Sequence, residues 1–127
     1  MDDGQYFSPV TSQSSSFASD PEDGIMGLAF NPIYSIGQAT LIDNLYSQGN
    51  LSATTFAFRL ATTGSELYLG GVGSTKYTGS IAYALLTSKT YWVTTGSSSV
   101  GSTMAYSGAM ILDSGTTILV GLTTCVS

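Results

Sequence analysis

A chain of 127 residues is long enough for one ordinary domain, and with 43% hydrophobic and only 9% charged residues it is neither disordered nor a charge-rich helical protein. A net charge of −5, with Arg59, Lys76 and Lys89 as its only basic side chains, leaves no basic patch and argues against nucleic acid as a partner. The sequence has no histidine, which excludes Ser-His-Asp and Cys-His catalysis and removes the commonest metal ligand, and its single cysteine, Cys125, rules out an internal disulfide.

Residues 1–19 are polar and Ser-rich, anchored by Tyr6, Phe7, Val10 and Phe17, with a short strand expected around 11–17. The acidic opening Met1-Asp2-Asp3-Gly4 is not a signal peptide, so the expectation is a removed leader or a piece of a longer chain. Asp20-Pro21-Glu22-Asp23-Gly24 is a turn signal leading into the apolar run Ile25 to Phe30. Its acids lack the alternating oxygen ligands of a calcium loop, so no metal and no cofactor are expected. Gly27 within the run predicts a close approach of another backbone.

Thr40 to Gly49 reads as the helix. Thr40 caps it, Asp43 sits at the partner position three residues on, and Gly49 supplies a left-handed stop. Leu41, Ile42, Leu45 and Tyr46 share one face, which should pack on a sheet. Asn50-Leu51-Ser52 follows at once and has the form of an N-glycosylation acceptor, a hint of secretion. No apolar run approaches membrane-spanning length.

From Thr55 the pattern is β. Phe56, Phe58 and Leu60 alternate with Ala57 and Arg59, and Leu67-Tyr68-Leu69 runs into Gly70-Gly71. Strands are expected over 80–86 and 90–95, with Gly96, Gly101 and Gly108 punctuating what lies between. Strands at this spacing predict a sandwich or barrel-like fold, mostly β with one or two short helices.

Near the end, Ile111-Leu112-Asp113-Ser114-Gly115-Thr116-Thr117-Ile118-Leu119-Val120 places one carboxylate between two apolar runs. The plain alternative is a strand, an Asp-Ser-Gly turn and a second strand with a solvated Asp. The apolar flanks favour a desolvated carboxylate supplied with donors by Ser114, Thr116 and Thr117, and such a group can do proton chemistry.

The order of these signals resembles the pepsin-like aspartic endopeptidases, of fungal type, truncated at both ends. Asp23 to Ala29 is similar to the segment closing the core of that family's N-terminal lobe, and Leu41 to Gly49 to the helix after it. Leu67 to Val72 and Tyr77 to Ser80 resemble strands approaching and entering the sheet between the lobes, and Tyr91-Trp92 an aromatic pair early in the C-terminal lobe. Ile111 to Thr117 resembles that lobe's catalytic loop. The cysteine pair that some animal members carry just before that loop is missing here.

The resemblance implies a partial pepsin-like fold, with residues 1–75 as the end of an N-terminal lobe and residues 76–127 as the start of a C-terminal lobe. It implies peptide-bond hydrolysis at acidic pH beside large apolar side chains, by two aspartates that share a proton and hold a water. On it, Asp113 is the second aspartate, Ser114 supports the catalytic loop, and Gly115 and Thr116 donate at the carboxylate and belong to the substrate-binding side. The expected partner is a peptide or protein substrate, with no nucleic acid and no membrane, and the location extracellular or vacuolar.

This sequence has one Asp-Ser-Gly loop where the family uses two, so the chain is expected to be inactive alone and Asp113 to titrate near the ordinary value of about 3.9. Two other readings stand beside this one. A secreted, non-catalytic binding protein is compatible with half a site. A homodimeric aspartic protease would supply one Asp per chain, but there the Asp loop precedes the apolar-apolar-Gly segment, whereas here Ile25-Met26-Gly27 comes first.

Overall fold

Thr40 starts the one α-helix among the residues that the computed structural model describes, 4–121. The chain breaks into two units after Gly79. In the first, α1 spans Leu41–Ser47. The Thr40 hydroxyl accepts from the Asp43 amide at 3.3 Å and donates to Asp43 Oδ2 at 2.7 Å, so cap and partner engage each other. At the other end Gly49 takes φ +73°, its amide donates to Tyr46 O, and the Asn50 amide donates to Leu45 O. That pair of bonds is the Schellman closure, and it satisfies carbonyls that the helix leaves open. Ile42 is buried, at 7% exposure, but Tyr46 is exposed, so the packed face is narrower than the pattern implied.

Gln5 ties the N-terminal segment to this helix. Its Oε1 accepts from Asn44 Nδ2 at 3.0 Å, and Tyr34 Oη donates to the Tyr6 carbonyl at 3.2 Å. The strand expected near 11–17 is not formed; Phe17–Ser19 is a 3-10 turn instead, in a stretch whose serines bond one another. A second 3-10 turn, Asn31–Ile33, begins at Asn31-Pro32, where proline's fixed φ suits a first helical position.

β1 (Phe56–Arg59) and β2 (Glu66–Leu69) form an antiparallel hairpin in which Phe56 faces Leu69 and Arg59 faces Glu66. Its loop is closed by Arg59 Nη1 on Gly64 O at 2.8 Å and by Ser65 Oγ, which bonds both the amide and the carbonyl of Ala61. The segment Ile25 to Phe30 is in no strand, and Ile25 is 88% exposed. An added Cβ on Gly27 would meet nothing within 4 Å, so the expected close backbone approach there is absent.

The second unit is one open antiparallel sheet of β3 (Leu86–Lys89), β4 (Trp92–Val100) and β5 (Thr103–Ile111), in that order. Residues 80–85 were expected to be strand and are not, nor are Tyr77 to Ser80. Conversely, β4 and β5 run straight through Gly96 and Gly108, which sit opposite each other across the ladder. Both are filled by neighbours. An added Cβ would stand 2.8 Å from Met110 Sδ at Gly96 and 2.6 Å from Tyr106 Oη at Gly108. Tyr106 Oη bridges the glycine to donate to Ala109 O at 2.9 Å. These glycines make room for side chains inside a strand rather than ending it. The fold is mostly strand in two sheets with few helices, as expected of a partial pepsin-like protease, and each sheet is open rather than closed into a barrel.

Candidate active site

β5 delivers the carboxylate. One residue past its end, the Leu112 amide donates to the Trp92 carbonyl at 3.0 Å, which continues the β4–β5 ladder to the residue before Asp113. The chain then turns through Ser114 and Gly115. The Asp113 carboxylate accepts from two donors of its own loop: the Gly115 amide reaches Oδ1 at 2.9 Å and Thr116 Oγ1 reaches Oδ2 at 2.6 Å. The first is an Asx turn, a side chain standing in for a backbone carbonyl. An added Cβ at position 115 would stand 3.3 Å from Oδ1, so a glycine here lets the amide come in without crowding the oxygen it serves.

These bonds stabilise the ionised form. The Thr116 hydroxyl, then the Gly115 amide, hold the Asp113 carboxyl below its ordinary value, with weak desolvation opposing them. The expected ordinary titration is therefore corrected: solvent access alone does not set this group, because its loop retains both donors.

The flanks are corrected as well. Leu112 and Ile118 are 66% and 71% exposed, and residues 118–121 form no strand, so the apolar runs leave Asp113 exposed. Of the three hydroxyls expected to supply it, Thr116 does, while Ser114 and Thr117 are exposed and do not reach it. The structure thus gathers Asp113, Gly115 and Thr116 into one constellation with Ser114 in the same turn. Asn50 lies in the other unit, at the end of α1. The Trp92 carbonyl, which anchors the approach to the loop, was not singled out from sequence; a backbone acceptor leaves no signature in residue type.

Among the described residues no three His, Cys, Asp or Glu side chains are grouped to hold a metal, and no helix is long and apolar enough to cross a membrane. Cys125 lies outside the described residues.

The carboxylate thus sits at a strand end with its oxygens held by the amide two residues on and the hydroxyl three residues on. The family model "Eukaryotic aspartyl protease" matches residues 1–127. The chain belongs to the eukaryotic aspartyl protease family. It is 45% identical over 126 residues to an aspartic protease of Phaffia rhodozyma, covering 97% of this chain and 31% of that one. Against rhizopuspepsin of Rhizopus chinensis it is 38% identical over 125 residues, covering 92% of this chain and 32% of the relative. Against pepsin A of Sus scrofa it is 38% identical over 114 residues, covering 84% and 30%. The chain therefore spans about a third of the length of these aspartyl proteases.

Proposed function

We propose that this chain carries one catalytic half-site of a fungal-type aspartic endopeptidase that cleaves peptide or protein substrates at acidic pH, beside large apolar side chains. Asp113 is the carboxylate of that half-site. In the working enzyme it shares a proton with a second aspartate lying outside this sequence. One carboxylate takes a proton from the water held between them while the other donates to the substrate carbonyl. Two carboxylates at that range do not both ionise, so the pair titrates as a unit.

The observation that carries this reading is the held carboxylate: Gly115 on one oxygen, Thr116 on the other, at the end of a strand. Such a cradle keeps one aspartate ionised in acid, which is the condition of the member that acts as base. Gly115 and Thr116 border the substrate side, and Ser114 supports the loop from the same turn. Residues 1–75 then belong to the end of an N-terminal lobe and 76–127 to the start of a C-terminal lobe. The fungal relatives support the fungal type, and the low charge and the Asn50 acceptor support an extracellular or vacuolar location.

One carboxylate makes no dyad, so the 127-residue chain alone is expected to be inactive. The test is an assay on denatured globin or casein across acidic pH. No turnover is expected. Turnover that a statine-type inhibitor blocks and Asp113→Ala removes would overturn the half-site and revive the homodimer.

A further inference from the structure

We propose that Asn50 carries an N-linked oligosaccharide, attached in a secretory lumen before the chain folds; the site rests on the reading of the protein as extracellular or vacuolar. Asn50-Leu51-Ser52 is the only such acceptor triplet in the sequence. The triplet by itself is a weak sign, and the fold adds three observations to it.

Asn50 is exposed and stands just beyond the left-handed Gly49 that closes α1, with its backbone amide donating to Leu45 O at 2.9 Å. Its side-chain Nδ2 donates to Gln48 Oε1 at 3.1 Å, an exposed contact. A primary amide carries two hydrogens. One serves Gln48, and the other is replaced by the sugar without breaking that bond. The middle residue is turned the other way. Leu51 is half-buried against Gly70, where an added Cβ would stand 3.3 Å from Leu51 Cδ2. Packing therefore falls on Leu51, and a bulky group on Asn50 displaces nothing buried.

The third observation sets the order of events. In the fold Ser52 Oγ donates to the Gly70 carbonyl at 2.9 Å, a contact 18 residues apart in sequence. The acceptor triplet requires that hydroxyl during transfer. Attachment therefore precedes the closure of Ser52 onto Gly70, while the triplet is still extended.

The donor is a lipid-linked oligosaccharide diphosphate. Asn50 Nδ2 attacks the anomeric carbon of the first sugar, an N–C bond forms, and the bond from that carbon to the diphosphate oxygen breaks. The lipid diphosphate leaves with the electron pair, and the amide proton passes to a base of the transferase.

The full chain is produced in a eukaryotic secretory host behind the host's own leader, with a second acceptor triplet appended after Ser127 to verify lumenal entry. Intact mass is read before and after an N-glycan-releasing amidase. The parent and Ser52→Thr are expected to lose two glycans, and Asn50→Gln and Ser52→Ala to lose only the appended one. Peptide mapping of the parent should show the Asn50 amide converted to a carboxylate by the amidase. An occupied appended site with Asn50 bare in both the parent and Ser52→Thr overturns the proposal. Because the host leader supplies the compartment, that failure condemns the site itself. Finding the natural protein in the cytosol would instead condemn the localisation reading.

Discussion

Asp113 keeps two hydrogen bonds that a freely solvated aspartate lacks, and this has a measurable consequence. Its carboxyl should titrate below the ordinary value, read from the side-chain carbon by NMR. Thr116 is the larger cause, so Thr116→Val should bring the midpoint back up toward about 3.9 while Ser114→Ala leaves it in place. The sign follows from linkage. With the folded value depressed, the loop's hydrogen bonds stabilise the fold above the unfolded value, and that contribution fades as pH falls through the folded one. A midpoint unmoved by Thr116→Val would mean that Thr116 does not hold the carboxylate. At this scale the sequence was legible in part. The residues near Asp113 offered three hydroxyls, of which Thr116 alone reaches it; the Gly115 amide came from the family resemblance, and both contacts lie within three residues of Asp113 because the loop is a local turn. Exposure was not legible in residue type alone: Ile111, Leu112, Ile118 and Leu119 are apolar, and it is the family resemblance, which places their packing partners outside this sequence, that leads one to expect them uncovered.

The helix and the sheets differ in how much local sequence decides them. α1 was readable because its start, Thr40 with Asp43, and its stop, Gly49, act within four residues. Thr40→Ala should destabilise the first unit by about 1 kcal/mol, and Gly49→Ala by a further 1–2 kcal/mol or so for forcing a Cβ into positive φ, both measured by chemical denaturation. Ile42→Ala removes the buried side chain of the helix and should cost about 2–5 kcal/mol. If Ile42→Ala cost no more than an exposed substitution, the helix would not be docked through that face. β1 was readable from alternation and β2 from the apolar run Leu67-Tyr68-Leu69 ending at Gly70-Gly71. The β4–β5 hairpin was not, because Ser97 to Ser99 carry no apolar period and two glycines read as breaks. Strand pairing across it is decided by partners up to 18 residues away, as at Val93 and Ile111. Gly108→Ala should drive Tyr106 off its Ala109 contact and cost on the order of 1 kcal/mol, whereas Gly101→Asn in the turn should be tolerated.

For the molecule as a whole the decisive quantity is surface. Ile25, Leu60, Leu85, Leu119 and Val120 are all more than three-quarters uncovered. Hydrophobic area left in water contributes nothing to the stability that burial supplies elsewhere. The chain should therefore bind a hydrophobic dye strongly and melt over a broad range; weak dye binding with one sharp transition would show that these faces are covered in solution. A chain spanning about a third of its relatives' length fits this surface, and it sets the test of the half-site. The most direct measurement is peptide cleavage at acidic pH by the natural polypeptide that contains this sequence, compared with its Asp113→Asn variant. A catalytic Asp113 predicts a fall in kcat of at least about 10²-fold with the melting profile retained. An unchanged kcat in the folded variant would contradict the assignment of Asp113 as a catalytic aspartate.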